Sequence, residues 1–244
     1  MKCYNSIIWI LVIVLLVSIG ILVSCGKDNQ ADVEEQSKDI ESVIGEAGKN
    51  EDYVKKSLGA RSILLPTPVW VIGSYDKEGK PNIMTPAWVG ICCSRPPCVT
   101  VSLRKATYTF GNIMEREAFS VNIASESFAK EAAYFGSVSG RNVDKFSITE
   151  LTPIKSDLVD APYIKEFPLV IECKLLQTIE LGLHTMFIGE IMDVKADKFI
   201  LGEDGLPDML KLKPFVFAPG SWEFYKTGGY LGEIDSLAEE IKGG

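Results

Sequence analysis

The pattern of hydrophobic and polar positions divides the chain into three stretches. Residues 7–23 form one apolar run that only Ser18 and Gly20 interrupt. Residues 26–50 are polar and charged, with few large apolar side chains and no aromatic ones. From about residue 64, β-branched and aromatic segments alternate with turn sequences. The pattern predicts a signal or anchor over 1–25, a flexible acidic tether over 26–50 and a folded domain over 51–244.

The folded domain has the pattern of a mainly β protein with short helices. Runs rich in β-branched and aromatic residues predict strands over 69–75, 82–93, 98–104, 119–124, 169–181 and 184–195, and one or two shorter strands within 198–217. Helical spacing of apolar residues predicts helices over 107–117, 125–136 and 235–242. Because strands dominate, we expect a closed or partly open antiparallel barrel with helical insertions.

The first 25 residues resemble a bacterial lipoprotein signal. The basic start at Lys2 precedes the apolar run, which ends in Leu22-Val23-Ser24-Cys25-Gly26, a sequence similar to a lipobox. This interpretation predicts that Cys25 is lipidated and anchors an exported protein to a membrane. An uncleaved transmembrane anchor is the alternative, because 17 residues lie at the lower edge of what spans a bilayer. Both interpretations place the folded domain outside the cytoplasm.

The charge and composition refine this division. The chain has 244 residues, of which 46% are hydrophobic and 24% charged, and its net charge is −8. The mean hydropathy of +0.13 comes mainly from the first 25 residues. Residues 26–50 carry seven carboxylates against three lysines, a composition that favours a solvated tether over an acidic docking arm. The acidic balance excludes a broad nucleic-acid-binding surface, which needs excess Lys and Arg, but permits a local basic site.

Few residues suggest metal or nucleophilic chemistry. The only histidine is His184, and without further information a single histidine at the start of a strand is more often structural. Cys92, Cys93 and Cys98 are best interpreted as small buried hydrophobic residues, since adjacent strand residues point to opposite faces. In an exported protein these three and Cys173 are able to form disulfides, but no pairing follows from the sequence. Glycine-rich nucleotide loops and a serine nucleophile motif are absent.

One junction has the chemistry of an anion site. The predicted strand 98–104 ends in Arg104-Lys105, and Thr107-Tyr108-Thr109 then opens a predicted helix. Helix N-termini present unpaired N–H groups, threonine hydroxyls add donors, and arginine binds phosphate through two parallel hydrogen bonds. The alternative is a threonine N-cap beside solvated basic residues.

Around this junction the chain resembles the flavin reductase-like, FMN-binding split-barrel family, and in particular its flavoredoxin group. The similarity covers about residues 65–217. Its segments are each short, but their order and spacing are specific: Gly79-Lys80-Pro81-Asn82-Ile83-Met84-Thr85-Pro86-Ala87-Trp88, Cys93-Ser94-Arg95-Pro96-Pro97, Val101-Ser102-Leu103-Arg104, Phe119-Ser120-Val121-Asn122, Ser139-Gly140-Arg141, Asp144-Lys145-Phe146 and Leu181-Gly182-Leu183-His184-Thr185.

The resemblance implies an antiparallel, Greek-key split β-barrel that forms a homodimer and binds FMN near the subunit interface. Residues implied to border the isoalloxazine ring are Asn82, Thr85, Ala87 and Trp88. Residues implied to hold the phosphate are Ser102, Leu103, Arg104 and Thr109. Asn122 and Lys145 are implied to lie near the flavin, and His184 to be the catalytic residue on its accessible side.

Three functions remain open at this point. The first is a flavin-dependent oxidoreductase that takes a hydride from NAD(P)H. The second is an extracytoplasmic FMN electron carrier that exchanges electrons with a protein or small redox partner. The export signal favours the carrier, because free NAD(P)H is scarce outside the cytoplasm. The third is a surface binding module without redox activity, which the intact series of matching segments disfavours.

Overall fold

The computed structural model describes residues 55–242. The lipoprotein signal, the lipidated Cys25 and the tether over 26–50 lie outside the described residues and stay predictions. Within 55–242, no helix has both the length and the apolar character needed to cross a membrane.

The described residues form twelve strands and five short α-helices. The strands are β1 Thr67–Pro68, β2 Val71–Tyr75, β3 Pro81–Met84, β4 Val89–Ser94, β5 Pro97–Arg104, β6 Ala118–Ile123, β7 Pro153–Lys155, β8 Pro162–Ile164, β9 Leu169–Leu181, β10 His184–Ala196, β11 Phe215–Ala218 and β12 Glu223–Lys226. The helices are α1 Tyr108–Arg116, α2 Ala129–Ser137, α3 Lys145–Thr149, α4 Met209–Leu212 and α5 Ile234–Lys242.

Seven strands build the main sheet, in the order β3-β2-β6-β9-β10-β5-β4, and every neighbouring pair is antiparallel. The two edge strands, β3 and β4, follow each other in the chain and are joined by residues 85–88. No ladder connects them in the described part of the chain, so the sheet does not close into a barrel. The mainly β split-barrel class predicted from the sequence is confirmed.

Two clusters of buried side chains hold the sheet to its helices. One lies between β2, β3 and α2 and includes Val71, Ile83 and Phe135. The other lies where α1 covers β5 and β6 and includes Ile113 and Phe119. The side chains of β5 alternate in burial. Val99, Val101 and Leu103 are buried, while Thr100 and Ser102 are half-buried and Arg104 is exposed. The outward face of β5 is therefore free to take part in a site.

The predicted hairpin over 169–181 and 184–195 is confirmed almost residue for residue, with Gly182 in the left-handed region at φ 54°. The helix predicted over 107–117 is also confirmed. The single strand predicted over 82–93 was wrong, because it divides into β3 and β4. Pro86 lacks an N–H for a ladder, and the Thr85 hydroxyl donates to the Ala132 carbonyl at 2.7 Å instead.

The prediction of one or two short strands within 198–217 is confirmed by one strand, β11, which follows a short 3₁₀ turn and α4. A further prediction needs correction. Cys92 and Cys93 were predicted to be buried, but both are exposed, and only Cys98 and Cys173 are buried. The reason is their place at the far end of the edge strand β4, where a bulge between Ile91 and Cys93 interrupts the ladder.

Candidate functional site

Three cavities are lined in part by the end of β3 or by residues 85–88, which join β3 to β4. We call the first the cationic cavity; its volume is ≈ 290 Å³ and its lining is Met84, Arg104, Ala106, Thr107, Tyr108, Thr109, Phe135, Gly136, Ser137, Val138, Ser139, Gly140 and Lys145. The second, the β5 cavity, has ≈ 340 Å³ and is lined by Ser62, Leu64, Thr67, Ala87, Trp88, Val89, Thr100 and Ser102. The third, the apolar cavity, has ≈ 360 Å³ and is lined by Pro68, Val69, Thr85, Pro86, Ala87, Ala132, Ala133, Gly136, Ser137, Phe217, Trp222 and Phe224.

The cationic cavity has the chemistry of an anion site. Its lining holds two cations, Arg104 and Lys145, and no carboxylate, although the chain as a whole carries a net charge of −8. The Ser139 hydroxyl adds a further donor, whereas those of Thr107 and Ser137 already donate to backbone carbonyl oxygens. A cavity of this composition attracts an anion because no negative group within its lining competes for the two cations.

The N-terminus of α1 opens onto this cavity without a side-chain cap. Thr107 occupies the N-cap, but its hydroxyl makes no hydrogen bond to the first helical turn. Instead it donates to the Arg104 carbonyl at 2.9 Å, and the Thr107 amide donates to the same carbonyl at 2.9 Å. This tight turn places Arg104 beside the first turn of the helix. The capping threonine of the alternative interpretation therefore does not satisfy the N–H groups that face the cavity.

Lys145 reaches the cavity from the start of α3 and is almost completely buried. Its ammonium donates to the carbonyl oxygens of Ile83 at 2.8 Å and Phe135 at 2.7 Å. These bonds tie α3 to β3 and α2 and use two of the three N–H donors. Burial lowers the pKa of Lys145 from 10.5 to about 8. Lys145 is thus a cation near neutral pH whose third donor is available to a ligand.

Buried hydrogen bonds among polar side chains fix the positions of residues that line the cationic cavity. The Asn82 amide donates to the Thr109 hydroxyl at 2.9 Å, and both residues are buried. A Cβ added at Gly140 would meet Asn82 Oδ1 at 2.0 Å, so the glycine lets the 139–141 segment approach closely. Tyr108 donates to Asp76 at 2.6 Å, and this hydrogen bond, together with burial, raises the pKa of Tyr108 to about 12. Tyr108 therefore stays neutral and in place.

The β5 cavity continues the same surface along the outward face of β5. Ser102 and Arg104 stand two residues apart and so share one face of the strand. Ser102 lines the β5 cavity and Arg104 the cationic cavity. The Ser102 amide donates to the Trp88 carbonyl at 2.9 Å, which fixes residues 85–88 next to β5. Ala87 and Trp88 also line the β5 cavity.

His184 lies beside this surface, although it lines none of the three cavities. It begins β10 and is the direct register partner of Arg104 in the antiparallel ladder. Residues opposite each other in such a pair project from the same face, with Cβ atoms roughly 5 Å apart. The structure thus brings the predicted catalytic residue next to the predicted phosphate residue.

Two of the sequence-predicted residues are enclosed in the fold. Leu103 is 1% exposed and packs in the core beneath β5. Asn122 is fully buried, and its amide donates to the Val71 carbonyl and the Ser120 hydroxyl while accepting from the Ile164 amide. These contacts favour a structural role for Asn122, joining β2, β6 and β8. The Thr85 side chain is likewise bonded within the fold, but it lines the apolar cavity.

Several lining residues carry no strong signal in the sequence. Ala106 and Ser137 belong to no motif, and Met84 lies in a segment of the family resemblance but is given no role by it. Gly140 lies in a segment quoted for the family resemblance, and its close approach to Asn82 gives that segment a physical reason. Among the described residues, no group of histidine, cysteine or carboxylate side chains has the geometry to hold a metal ion.

Comparison with known proteins agrees with this architecture. Residues 61–218 match the model of the flavin reductase like domain. Flavoredoxin of Desulfovibrio vulgaris (Miyazaki F) is 52% identical, with a TM-score of 0.73 over 76% of this chain and 100% of that one. Flavoredoxin from Methanosarcina acetivorans is 30% identical, with a TM-score of 0.71 over 77% of this chain and 100% of that one. An uncharacterized Archaeoglobus fulgidus protein is 34% identical over 53% of this chain and 72% of its own length.

Proposed function

Because the chain belongs to the flavin reductase-like domain family, we propose that it binds FMN and transfers hydride or electrons through it. The family supports a flavin-binding oxidoreductase in general terms, and the cationic cavity supports FMN in particular. That cavity offers two cations, an uncapped helix N-terminus and no carboxylate, which is the donor set that a terminal phosphate requires. This donor set is the single observation that carries the proposal.

In this proposal the chain's own residues bind and orient. Arg104 and the first turn of α1 hold the phosphate, with Lys145 as a further cation. Ser102, Ala87 and Trp88 border the ring along the β5 cavity. Asn82 acts through Thr109, whose hydroxyl it fixes. FMN supplies the redox chemistry when bound, so no acid–base pair of the protein is required.

The source of the electrons separates two versions of the function. An NAD(P)H-dependent oxidoreductase is the first version, and an electron carrier without NAD(P)H activity is the second. The sequence of residues 1–25 favours the carrier, since a lipoprotein anchored through Cys25 outside the cytoplasm meets little NAD(P)H. The membrane anchor, the export and the redox partner are parts of this proposal.

A homodimer is also proposed. Leu181 and Leu183 flank the turn beside His184 and are 55% and 66% exposed, and Ile91 on β4 is 77% exposed. Exposed apolar side chains such as these favour a surface that a second copy covers. Sedimentation equilibrium of the purified protein tests this, and a monomer at all concentrations contradicts it.

The decisive experiment begins with the visible spectrum of the purified full-length protein. We expect flavin absorbance, or its appearance as a bound species after FMN is added. Anaerobic titration with NADH and NADPH follows. Rapid bleaching supports the oxidoreductase and excludes the pure carrier. No bleaching by either nucleotide, with reduction by dithionite, supports the carrier. A protein that does not bind added FMN contradicts both versions.

Replacing His184 by alanine is expected to leave FMN affinity nearly unchanged and to slow reduction of the bound flavin. The reason is its position opposite Arg104 on the outward face, where a donor approaches, rather than within a cavity lining. Stopped-flow absorbance measures the reduction rate, and FMN titration serves as the control. Loss of folding in this variant, seen by circular dichroism, would instead assign His184 a structural role.

The affinity for FMN is expected to fall as the pH rises from 7 to 9. Lys145 titrates near 8, and its charged form is the one that attracts phosphate. The stability of the flavin-free protein should change in the opposite direction. Because the pKa of Lys145 is lower in the fold than its ordinary 10.5, the unfolded chain binds more protons between about 8 and 10.5, and stability rises with pH there. A Lys145→Met variant should lose both dependences in these pH windows, and a wild-type affinity that stays flat from pH 7 to 9 contradicts the assignment.

A further inference from the structure

The proposed flavin site uses the cationic cavity and the β5 cavity, but not the apolar cavity. The residues 85–88 separate it from the β5 cavity, with Ala87 lining both. It touches the cationic cavity only through Gly136 and Ser137. Its position next to a flavin site therefore suits a second, smaller molecule.

The lining excludes a charged ligand. None of the twelve lining residues is ionisable, and most are aliphatic, proline or aromatic. The two side-chain hydroxyl groups already donate within the protein, Thr85 to the Ala132 carbonyl at 2.7 Å and Ser137 to the Tyr134 carbonyl at 2.9 Å. Their oxygens remain able only to accept a hydrogen bond. An anionic molecule would lose its hydration here without gaining a cation or a hydroxyl donor in return.

The lining also favours a flat ring. Phe217 and Phe224 form one wall with Trp222, and the Phe217 and Trp222 rings meet at 5.6 Å and 68°. The rest of the lining includes small residues on α2, namely Ala132, Ala133 and Gly136. Small side chains in the same lining as aromatic ones leave room for a ring that stacks or packs edge to face, and we call this space the slot.

Trp222 is held in an unusual conformation at the mouth of this slot. Its φ is 61°, in the left-handed region that bulky residues rarely adopt, and 75% of the residue is exposed. The Trp222 amide donates to the Ala218 carbonyl at 3.0 Å, which closes the turn between β11 and β12. Trp222 and Phe224 lie beyond residue 218, where the match to the family model ends. Two of the three aromatic residues of this wall are therefore supplied by the segment that follows the matched domain.

We propose that the apolar cavity binds an uncharged aromatic ring compound that carries a hydroxyl group, of the phenol or hydroquinone class. Such a ring packs against Phe217 and Trp222, and its hydroxyl donates to the oxygen of Thr85 or Ser137. As a binding site the cavity stands by itself. As the site of a redox substrate it rests on the proposed flavin function, because the ring would then lie across residues 85–88 from the flavin.

A matched pair of ligands tests the binding site. 2-Naphthol is neutral at pH 7, whereas 2-naphthoate has the same ring system and a negative charge. Calorimetric titration of the full-length protein should show 2-naphthol binding at least tenfold more tightly than 2-naphthoate. Equal affinities for the two, or no binding of 2-naphthol up to its solubility limit, would overturn the proposal.

Variants locate the bound ring. Trp222→Ala, which removes the wall, and Ala133→Phe, which fills the slot from an exposed helix position, should each weaken 2-naphthol binding at least fivefold. Trp222→Phe should retain binding, and Tyr230→Ala serves as the control because Tyr230 is 71% exposed and lines none of the three cavities. Unchanged affinity in both Trp222→Ala and Ala133→Phe contradicts the assignment.

Repeating the titration at saturating FMN separates this proposal from the flavin proposal. We expect 2-naphthol affinity to be unchanged within twofold, because the two ligands occupy different cavities. Displacement of 2-naphthol by FMN would show that the apolar cavity belongs to the flavin site and would overturn the inference while supporting the proposed function. Binding of 2-naphthol by a protein that fails to bind FMN would support the inference about the apolar cavity and contradict the proposed flavin function.

Discussion

Replacing Arg104 by alanine is expected to weaken FMN binding by about 1.5–3 kcal/mol, roughly ten- to hundredfold in Kd. Arg104 is the exposed cation at the end of β5, and the turn through Thr107 holds it beside the uncapped N-terminus of α1. Its removal takes away a charge-assisted contact that the helix N-terminus alone does not replace. Quenching of FMN fluorescence during titration measures the change.

Riboflavin is the matched ligand for this prediction because it lacks the phosphate. Its affinity should be the same in the wild type and in Arg104→Ala. Arg95→Ala is the matched variant, since it removes the same side chain from the exposed turn at the opposite end of the β4–β5 hairpin. An unchanged FMN affinity in Arg104→Ala, or an equal loss for riboflavin, contradicts the phosphate assignment.

The anion site could be predicted because its parts are close together in the chain. Arg104, Thr107 and Thr109 lie within six residues, and a strand followed by a helix is enough to place them at one corner. The long β9–β10 hairpin was predictable for the same reason: the strands are adjacent in sequence and Gly182 provides the turn. Local patterns give local geometry well.

The lysine of the cavity shows what a local pattern leaves out. Nothing around Lys145 in the sequence indicates burial, because its partners are the carbonyl oxygens of Ile83 and Phe135, 62 and 10 residues away. Only the packing of α3 against β3 and α2 removes it from water and lowers its pKa. The family resemblance indicated a position near the flavin, but the physical basis for it appears only in the structure.

In strands that are buried on both faces, the sequence does not show which side chains line a cavity. In β6, residues 118–122 are all buried, so alternation does not distinguish a side chain facing a cavity from one facing the core. Asn122 is a polar residue in such a strand, and its three hydrogen bonds go to β2, to β6 itself and to Ile164, the last residue of β8. The β7–β8 pair was missed because its strands are only three residues long.

A cluster of charged side chains around one buried carboxylate stabilises the β9–β10 hairpin. The Glu172 side chain on β9 is fully buried, and its carboxylate accepts from the Asp157 and Leu158 amides at 3.2 and 2.8 Å. Lys195 on β10 lies 2.8 Å from this carboxylate and also contacts Asp157 and Asp193. Burial alone would lower the pKa of Lys195, but these carboxylates raise it above its ordinary value. The lysine thus compensates a carboxylate that connects the β9–β10 hairpin to the segment before β8.

Replacing Lys195 by methionine is therefore expected to lower the free energy of unfolding by about 3–5 kcal/mol, because it leaves Glu172 buried without a cation. Urea denaturation followed by circular dichroism measures the change. Lys174→Met is the control, since Lys174 is exposed on the same hairpin and makes no ion pair among the described residues. Adding Glu172→Gln to Lys195→Met should restore part of the loss, because it removes the uncompensated charge while the single amide oxygen still accepts from one of the two backbone amides. A loss in Lys195→Met no larger than that in Lys174→Met would show that water, rather than Lys195, compensates the charge of Glu172.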